Sequence, residues 1–339
     1  MTGFPLTALF LSFWGQNRAP FLFTMKIRTI ATTLIIALSL LLSACASDAT
    51  AAETGVSAQT GFTDDLGRTV ACAAEPQRVA ALIGSYAEVW CLAGGRDTLV
   101  AAADDAWTSF DLGLDDGVVN LGAIKTPSLE ALLAAKPDLV LASTNTSANL
   151  ELMDVLDGAN IPVAYFDVQG FDDYLNMLEI CTTLTGELDN YTAYGLNVQS
   201  EINAAVARAD GSEPTVLVIR ATGVSCKVKS SRDNVLGEML AGLGCVNIAD
   251  SDASLLEELS LEAIIDAQPE YIFCVLQGSD PTDAMETLST TLLENPAWRS
   301  LTAVQEGRFY TLEHELYNLK PNARWGEAYE KLADILYPQ

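Results

Sequence analysis

Apolar residues follow two rhythms along the chain. Residues 78–83, 98–103, 161–166, 215–219 and 309–312 are short apolar runs of strand length, and the stretches between them carry apolar positions three or four apart. Strands alternating with helices predict parallel sheets and an α/β fold. Helices are expected at 171–184 and 187–209. In the second of these, Leu188, Tyr191, Tyr194, Val198, Ile202, Ala205 and Ala209 form one apolar stripe. A helix of about 23 residues reaches about 35 Å, enough to bridge two lobes. Ser85 and Glu88 have the spacing of a capping box that opens a helix through Leu92. A last amphipathic helix is expected over 322–337.

One pattern repeats. Ser128-Leu129-Glu130-Ala131 through Pro137-Asp138 and the apolar run to Val140 returns 132 positions later as Ser260-Leu261-Glu262-Ala263 through Pro269-Glu270 and the run to Ile272. Each copy reads as a serine-started helix stopped at proline and followed by a strand. Two copies predict two similar lobes. The expected fold is therefore two Rossmann-like α/β lobes with mainly parallel sheets, joined by one long α-helix. The expected divisions are 61–168 for the first lobe, 169–210 for a helical connection with its backbone helix at 187–209, and 211–339 for the second lobe.

The first 60 residues follow different rules. Met25, Lys26, Ile27 and Arg28 open a basic segment, 29–42 is apolar, and Leu42-Ser43-Ala44-Cys45 has the small residues of a cleavage site. This reads as a signal peptide over 1–44, with Met25 the expected true start, and the site is similar to the lipobox of bacterial lipoproteins. Cys45 is then the lipidated first residue of the mature protein, and 45–60, rich in Ala, Ser and Thr, a flexible tether. Such a chain works outside the cytoplasm, anchored to the cell membrane.

From Cys45 onward the chain holds 15 basic residues against 45 acidic ones, a formal charge of −30. That argues against nucleic acid as a partner. Six further cysteines, Cys72, Cys91, Cys181, Cys226, Cys245 and Cys274, contain no CxxC pair. Free thiols are expected, with Cys72 and Cys91 the pairing to test. A single histidine, His314, cannot build a multi-imidazole zinc site, and GxSxG, Walker A and GxGxxG motifs are all missing. No catalytic residue is assigned, and the chain reads as a non-enzyme.

Clefts between α/β lobes bind ligands at the carboxyl ends of strands. After the strand at 215–219, the segment 220–232 holds Arg220, Lys227, Lys229 and Arg232 and no acidic residue. It reads either as an anion site or as a solvated edge hairpin. Tyr86, Trp107 and Lys125 are the first lobe's candidate contacts; His314, a possible metal ligand, and Tyr317 are the second lobe's.

The lipobox, the long joining helix and the paired SLEA units, with Asp65-Leu66-Gly67-Arg68, Pro76 to Val79, Asn295 to Trp298 and Gly307 to Tyr310, together resemble the substrate-binding proteins of iron-siderophore, haem and vitamin B12 ABC importers. The resemblance runs from about Thr63 to Tyr337. It implies a monomer that carries a metal chelate, has no covalent cofactor besides the lipid, and serves a permease dimer with its ATPase subunits. It also implies that Glu130 and Glu262 dock into the permease, one per lobe. A helix-dipole role serves both residues as well. Among cargoes a ferric siderophore is favoured over a corrinoid, and both over haem. An exported enzyme and a structural lipoprotein are the readings of other classes.

Overall fold

The computed structural model describes residues 59–232, 234–257, 259–278 and 281–339. The expected signal peptide, Cys45 and most of the expected tether lie outside the described residues. Gln59 and Thr60, expected in the tether, already belong to strand β1 (Gln59–Thr63), which pairs antiparallel with β2 (Thr69–Ala73). The turn between them is built on Asp64, which accepts from the backbone N–H groups of Leu66 and Arg68 and pairs with the Arg68 guanidinium at 2.8 Å.

The first sheet contains β3 (Val79–Ala81), β4 (Leu99–Ala102), β5 (Val119–Asn120), β6 (Leu139–Ser143) and β7 (Val163–Phe166), in the order β5-β4-β3-β6-β7, all parallel. The second contains β8 (Thr215–Thr222), β9 (Cys226–Lys229), β10 (Val246–Asn247), β11 (Tyr271–Gln277) and β12 (Phe309–Leu312). Strands β10-β8-β11-β12 are parallel, and β9 folds back antiparallel on β8. The helices that position the cleft are α1 (Gly84–Trp90), α2 (Leu129–Ala134), α3 (Phe171–Thr185), α4, α5 (Val235–Gly242), α6 (Leu261–Ala267) and α7 (Trp325–Leu336). Helix α4 spans 188–206 as Leu188–Tyr191, a π-type segment Thr192–Leu196 and Asn197–Val206, helical without a break. At 19 residues it is about 28 Å long, shorter than expected because Gly186 at φ 77° ends α3 first and the chain leaves the helix after Val206.

The two copies of the repeat fold alike. Ser128 and Ser260 each cap their helix, accepting from the N–H groups of Ala131 and Ala263 at 3.2 Å. Lys136 and Gln268 then take the left-handed conformation, at φ 49° and 43°. The next acid ties the helix to the neighbouring strand: Asp138 accepts from the N–H groups of Gln77 and Arg78, and Glu270 from that of Thr215. β6 and β11 thereby enter their sheets in equivalent places.

Alternation along the strands creates three cores. Ala80, Leu82, Val140, Ala142 and Tyr165 bury on the first sheet's outer face, and Leu217, Ile219, Ile272 and Cys274 on the second sheet's. Their neighbours Val79, Ala81, Leu139, Leu141, Phe166, Val216, Val218, Phe273 and Val275 all enter one cluster, together with residues of α3, α4 and α7. Gly326 at the start of α7 permits this layer, since a methyl there would run into Glu201 of α4.

The segment before α7 also reaches the first lobe. Asn322, 1% exposed and at φ 49°, donates from Nδ2 to the Ser85 carbonyl at 3.0 Å and to the Glu88 carboxylate at 2.6 Å. The capping box expected at Ser85 and Glu88 is therefore not formed: α1 starts at Gly84, whose N–H donates to Asp105, and Glu88 serves Asn322 instead. Removing a buried donor from this clasp with Asn322→Ala is expected to cost about 1–3 kcal/mol in urea unfolding; an unchanged midpoint contradicts it. Burial holds the Glu88 carboxyl above its usual range, opposed by its bond from Asn322 and by Arg324. Its native state thus binds the proton more tightly than the unfolded chain, so its share of stability is full below the ordinary glutamate pKa and is lost as pH rises through the raised value. Glu88→Gln is expected to gain stability relative to wild type as pH rises above the ordinary glutamate pKa of about 4.3; a pH-independent difference contradicts this.

Candidate functional site

The shared core stops short of the strands' carboxyl ends, and a cleft of two adjoining chambers opens there. The first, about 470 Å³, is lined by Asn145 after β6, Gln169 after β7, Arg220 and Lys229 from the β8–β9 hairpin, and Tyr317, Asn318 and Lys320 from the segment leading to α7. The second, about 520 Å³, is lined by Thr108 and Ser109 of the first lobe and by Gln277, His314 and Asn318 of the second. Asn318 belongs to both.

Hairpin register explains the charge in the first chamber. Arg220 lies opposite Lys227, and Val218 opposite Lys229. Residues directly opposite in an antiparallel pair share a face, so all three cations stand on the face of Val218, away from the outer core that takes Ile219 and Val228. The segment is an edge hairpin, and Arg220 and Lys229 of its charged face line the cleft. Among the described residues the Arg220 guanidinium has no carboxylate partner. Lys227 is exposed and outside the lining of both chambers.

Lys320, which sequence patterning did not single out, is half-buried in the same chamber. Burial pushes its ammonium below the usual lysine range, countered by Asp167 and Asp173. The first-lobe wall has the opposite polarity. Asp167 accepts from Asn145 Nδ2 at 2.5 Å and from Gln169 Nε2 at 3.0 Å, which fixes both amides at the cleft.

Other candidates lie elsewhere. Tyr86 is a correction: it is 1% exposed, its hydroxyl donates to the Phe166 carbonyl at 2.9 Å, and its ring meets Phe166 edge-on. It is a core residue because α1 turns that face to the sheet. Trp107 is half-buried against the shared core and is not a lining residue, although its neighbours Thr108 and Ser109 are. Lys125 is exposed on a loop outside both chambers. Tyr317 lines the first chamber but is 4% exposed and donates its hydroxyl to the Ala328 carbonyl at 3.1 Å. His314 Nδ1 lies 3.1 Å from the Leu276 carbonyl and donates to it, which orients the ring. Glu130 and Glu262 are exposed in the first turns of α2 and α6. The six described cysteines are free, and burial raises every thiol, that of Cys72 to about 11 and those of Cys245 and Cys274 to about 12.

Two Rossmann-like lobes, one connecting helix and a polar cleft at the facing strand ends are the architecture of two-lobed solute-binding proteins. The chain belongs to the periplasmic binding protein family, whose model matches residues 79–316. It is similar to the iron-uptake system-binding protein of Bacillus subtilis, with 25% identity over 61% of this chain and 63% of that protein, so the match spans less than two thirds of that relative. It is also similar to the Fe(3+)-citrate-binding protein of the same species, with 23% identity over 87% of this chain and 92% of the other. It shares its fold with Staphylococcus aureus SirA, solved in complex with staphyloferrin B, at a TM-score of 0.63 and 21% identity over 82% of this chain and 97% of that one. Among the described residues no helix is long and apolar enough to cross a membrane.

The reassignment of Tyr86 is testable. Tyr86→Phe is expected to cost about 0.5–1.5 kcal/mol of stability while leaving the affinity for a ferric chelate unchanged. A selective loss of affinity with intact stability would return Tyr86 to the binding site.

Proposed function

We propose that this chain captures a ferric chelate, a siderophore, in the cleft between its lobes and delivers it to the permease of an ABC importer, as a monomer anchored through lipid on Cys45. One observation carries the reading: in so acidic a chain, Arg220, Lys229 and Lys320 come from separate positions to one chamber, where clustered cations favour an anion. The names of the Bacillus subtilis relatives support iron as the cargo metal.

Haem and corrinoid are the weaker readings. A haem iron needs a protein ligand; the Tyr86 and Tyr317 hydroxyls are committed to carbonyls, which leaves His314. A corrinoid bracketed by aromatics would need Trp107, which packs on the core instead. The solute-binding family to which the chain belongs supports reading it as a carrier. Glu130 and Glu262, exposed at matching places on the two lobes, are proposed to meet the permease subunits, one each.

The direct test is a thermal-shift and calorimetric screen of the chain from Ala46 onward against ferric chelates, haem and cobalamin. A chelate at about 100 times its dissociation constant is expected to add about 2.7 kcal/mol; stabilisation by haem or cobalamin alone would overturn the iron-chelate reading. Glu130→Ala with Glu262→Ala is expected to abolish chelate uptake by cells while chelate affinity is retained. Wild-type uptake by that variant would contradict the docking role.

A further inference from the structure

β7 is an outer strand of the first sheet, and its free edge is covered by the turn of the β1–β2 hairpin. Alternate residues of a strand turn their backbone groups to opposite edges. Phe166 gives its carbonyl to the Thr144 N–H on the β6 side, so residues 163, 165 and 167 face outward. Turn residues meet each of them. Arg68 donates to the Val163 carbonyl at 2.8 Å, Asp64 accepts from the Tyr165 N–H at 3.3 Å, and the Asp65 N–H donates to the Tyr165 carbonyl at 3.0 Å. The last group on that edge is the Asp167 N–H, and Asp65 Oδ2 accepts it at 2.7 Å.

That last bond reaches the cleft. Asp167 lies one residue beyond β7, and its carboxylate accepts from Asn145 Nδ2 at 2.5 Å and from Gln169 Nε2 at 3.0 Å, both lining residues of the first chamber. The Gln169 backbone has a second anchor, its N–H donating to Asp173 at 2.9 Å. Asn145 is exposed, and its amide is aimed by Asp167. Asp65, itself outside the lining of both chambers, is thus connected through Asp167 to side chains within one of them.

We propose that Asp65 is a positioning residue of the ligand site: by accepting from the Asp167 N–H it fixes the Asp167 carboxylate, and through it the Asn145 and Gln169 amides on the first lobe's side of the cleft. The role requires the cleft to hold the ligand, as the carrier reading has it, and is independent of which chelate that is. Arg68, Asp64 and the Asp65 backbone already cover the edge of β7, so the Asp65 side chain is left to serve its cleft end. The hydrogen bond, and not the charge, is what this place uses. Burial pushes the Asp65 carboxyl above its usual range against the bond from Asp167, and the nearby Asp173, Asp167 and Asp64 carboxylates push the same way as burial. Without an acceptor at residue 65 the Asp167 N–H loses its partner, where the strand ladder has already ended. An amide there keeps the acceptor and loses the charge.

Two measurements on the chain from Ala46 onward test this. In the unliganded protein, the side-chain amide resonances of Asn145 and Gln169 are expected to shift in Asp65→Ala and to stay near their wild-type positions in Asp65→Asn. In calorimetric titration with the tightest binder among ferric citrate, a ferric hydroxamate and a ferric catecholate, Asp65→Ala is expected to weaken binding about fivefold and Asp65→Asn to keep it within about twofold. In a chain carrying Asn145→Ala and Gln169→Ala, adding Asp65→Ala is expected to change affinity by less than about twofold, because the groups it acts through are gone. Thermal midpoints near that of wild type show that the variants are folded; if Asp65→Ala fails to fold, Asp65→Leu, similar in shape and without an acceptor, serves in its place. Resonances or affinity unmoved by Asp65→Ala, an equal loss in Asp65→Asn, or the full loss in the doubly substituted chain each overturn the role and leave the iron-chelate reading standing. If no ferric probe binds and haem or cobalamin does, the iron-chelate reading fails, and the same variants titrated with that ligand decide on Asp65. The amide resonances need no ligand and decide on the wall whatever binds.

Discussion

One apolar layer holds both sheets. Because side chains alternate along a strand, each sheet can give its outer face to a private core and its inner face to a common one, and both do so. Val79 and Leu139 of the first sheet join Val216 and Phe273 of the second in a single cluster, closed by α3, α4 and α7. Separating the lobes would expose that surface to water, at roughly 25 cal/mol for each Å² of apolar area. The cleft therefore rests on a continuous floor. Asn322 adds a polar clasp at the same level, through bonds to Ser85 and Glu88 that cross from one lobe to the other.

A fixed floor makes the placement of charge decisive. The arrangement that carries the functional reading is set by backbone register: the pairing of Arg220 with Lys227 and of Val218 with Lys229 puts the hairpin's cations on one face. Lys320 is placed by a different device, two residues before the clasp at Asn322. The acidity of the remaining surface, a formal −27 over the whole sequence, makes this cationic chamber a local exception.

Much of the fold was legible because local signals and global architecture agree. The strand at β12 and the helix at α3 follow from patterning alone, and the repeat of Ser128-Leu129-Glu130 as Ser260-Leu261-Glu262 predicted two similar units whose caps, left-handed stops and acid ties match in detail. Site residues were less legible. Arg220 and Lys229 stood out as a basic cluster within one segment. Lys320 did not, because its importance comes from a chain reversal that carries residues 317–322 between the lobes, and no local pattern encodes that. Tyr86 was misplaced for the opposite reason: a residue just past a strand end is read as facing the cleft, yet one turn into α1 the helix directs it back to Phe166. Ser85 and Glu88 had the spacing of a capping box, and a distant asparagine took the glutamate.

The central claim is that one iron chelate occupies the cleft between the lobes. Anomalous diffraction at the iron absorption edge, from crystals of the chain from Ala46 onward grown with the ferric chelate that it binds tightest, tests it most directly. The account predicts a single iron peak per chain in the chamber bounded by Arg220, Lys320 and Gln169. Iron found only on the acidic surface, or no peak despite saturating chelate, would contradict it.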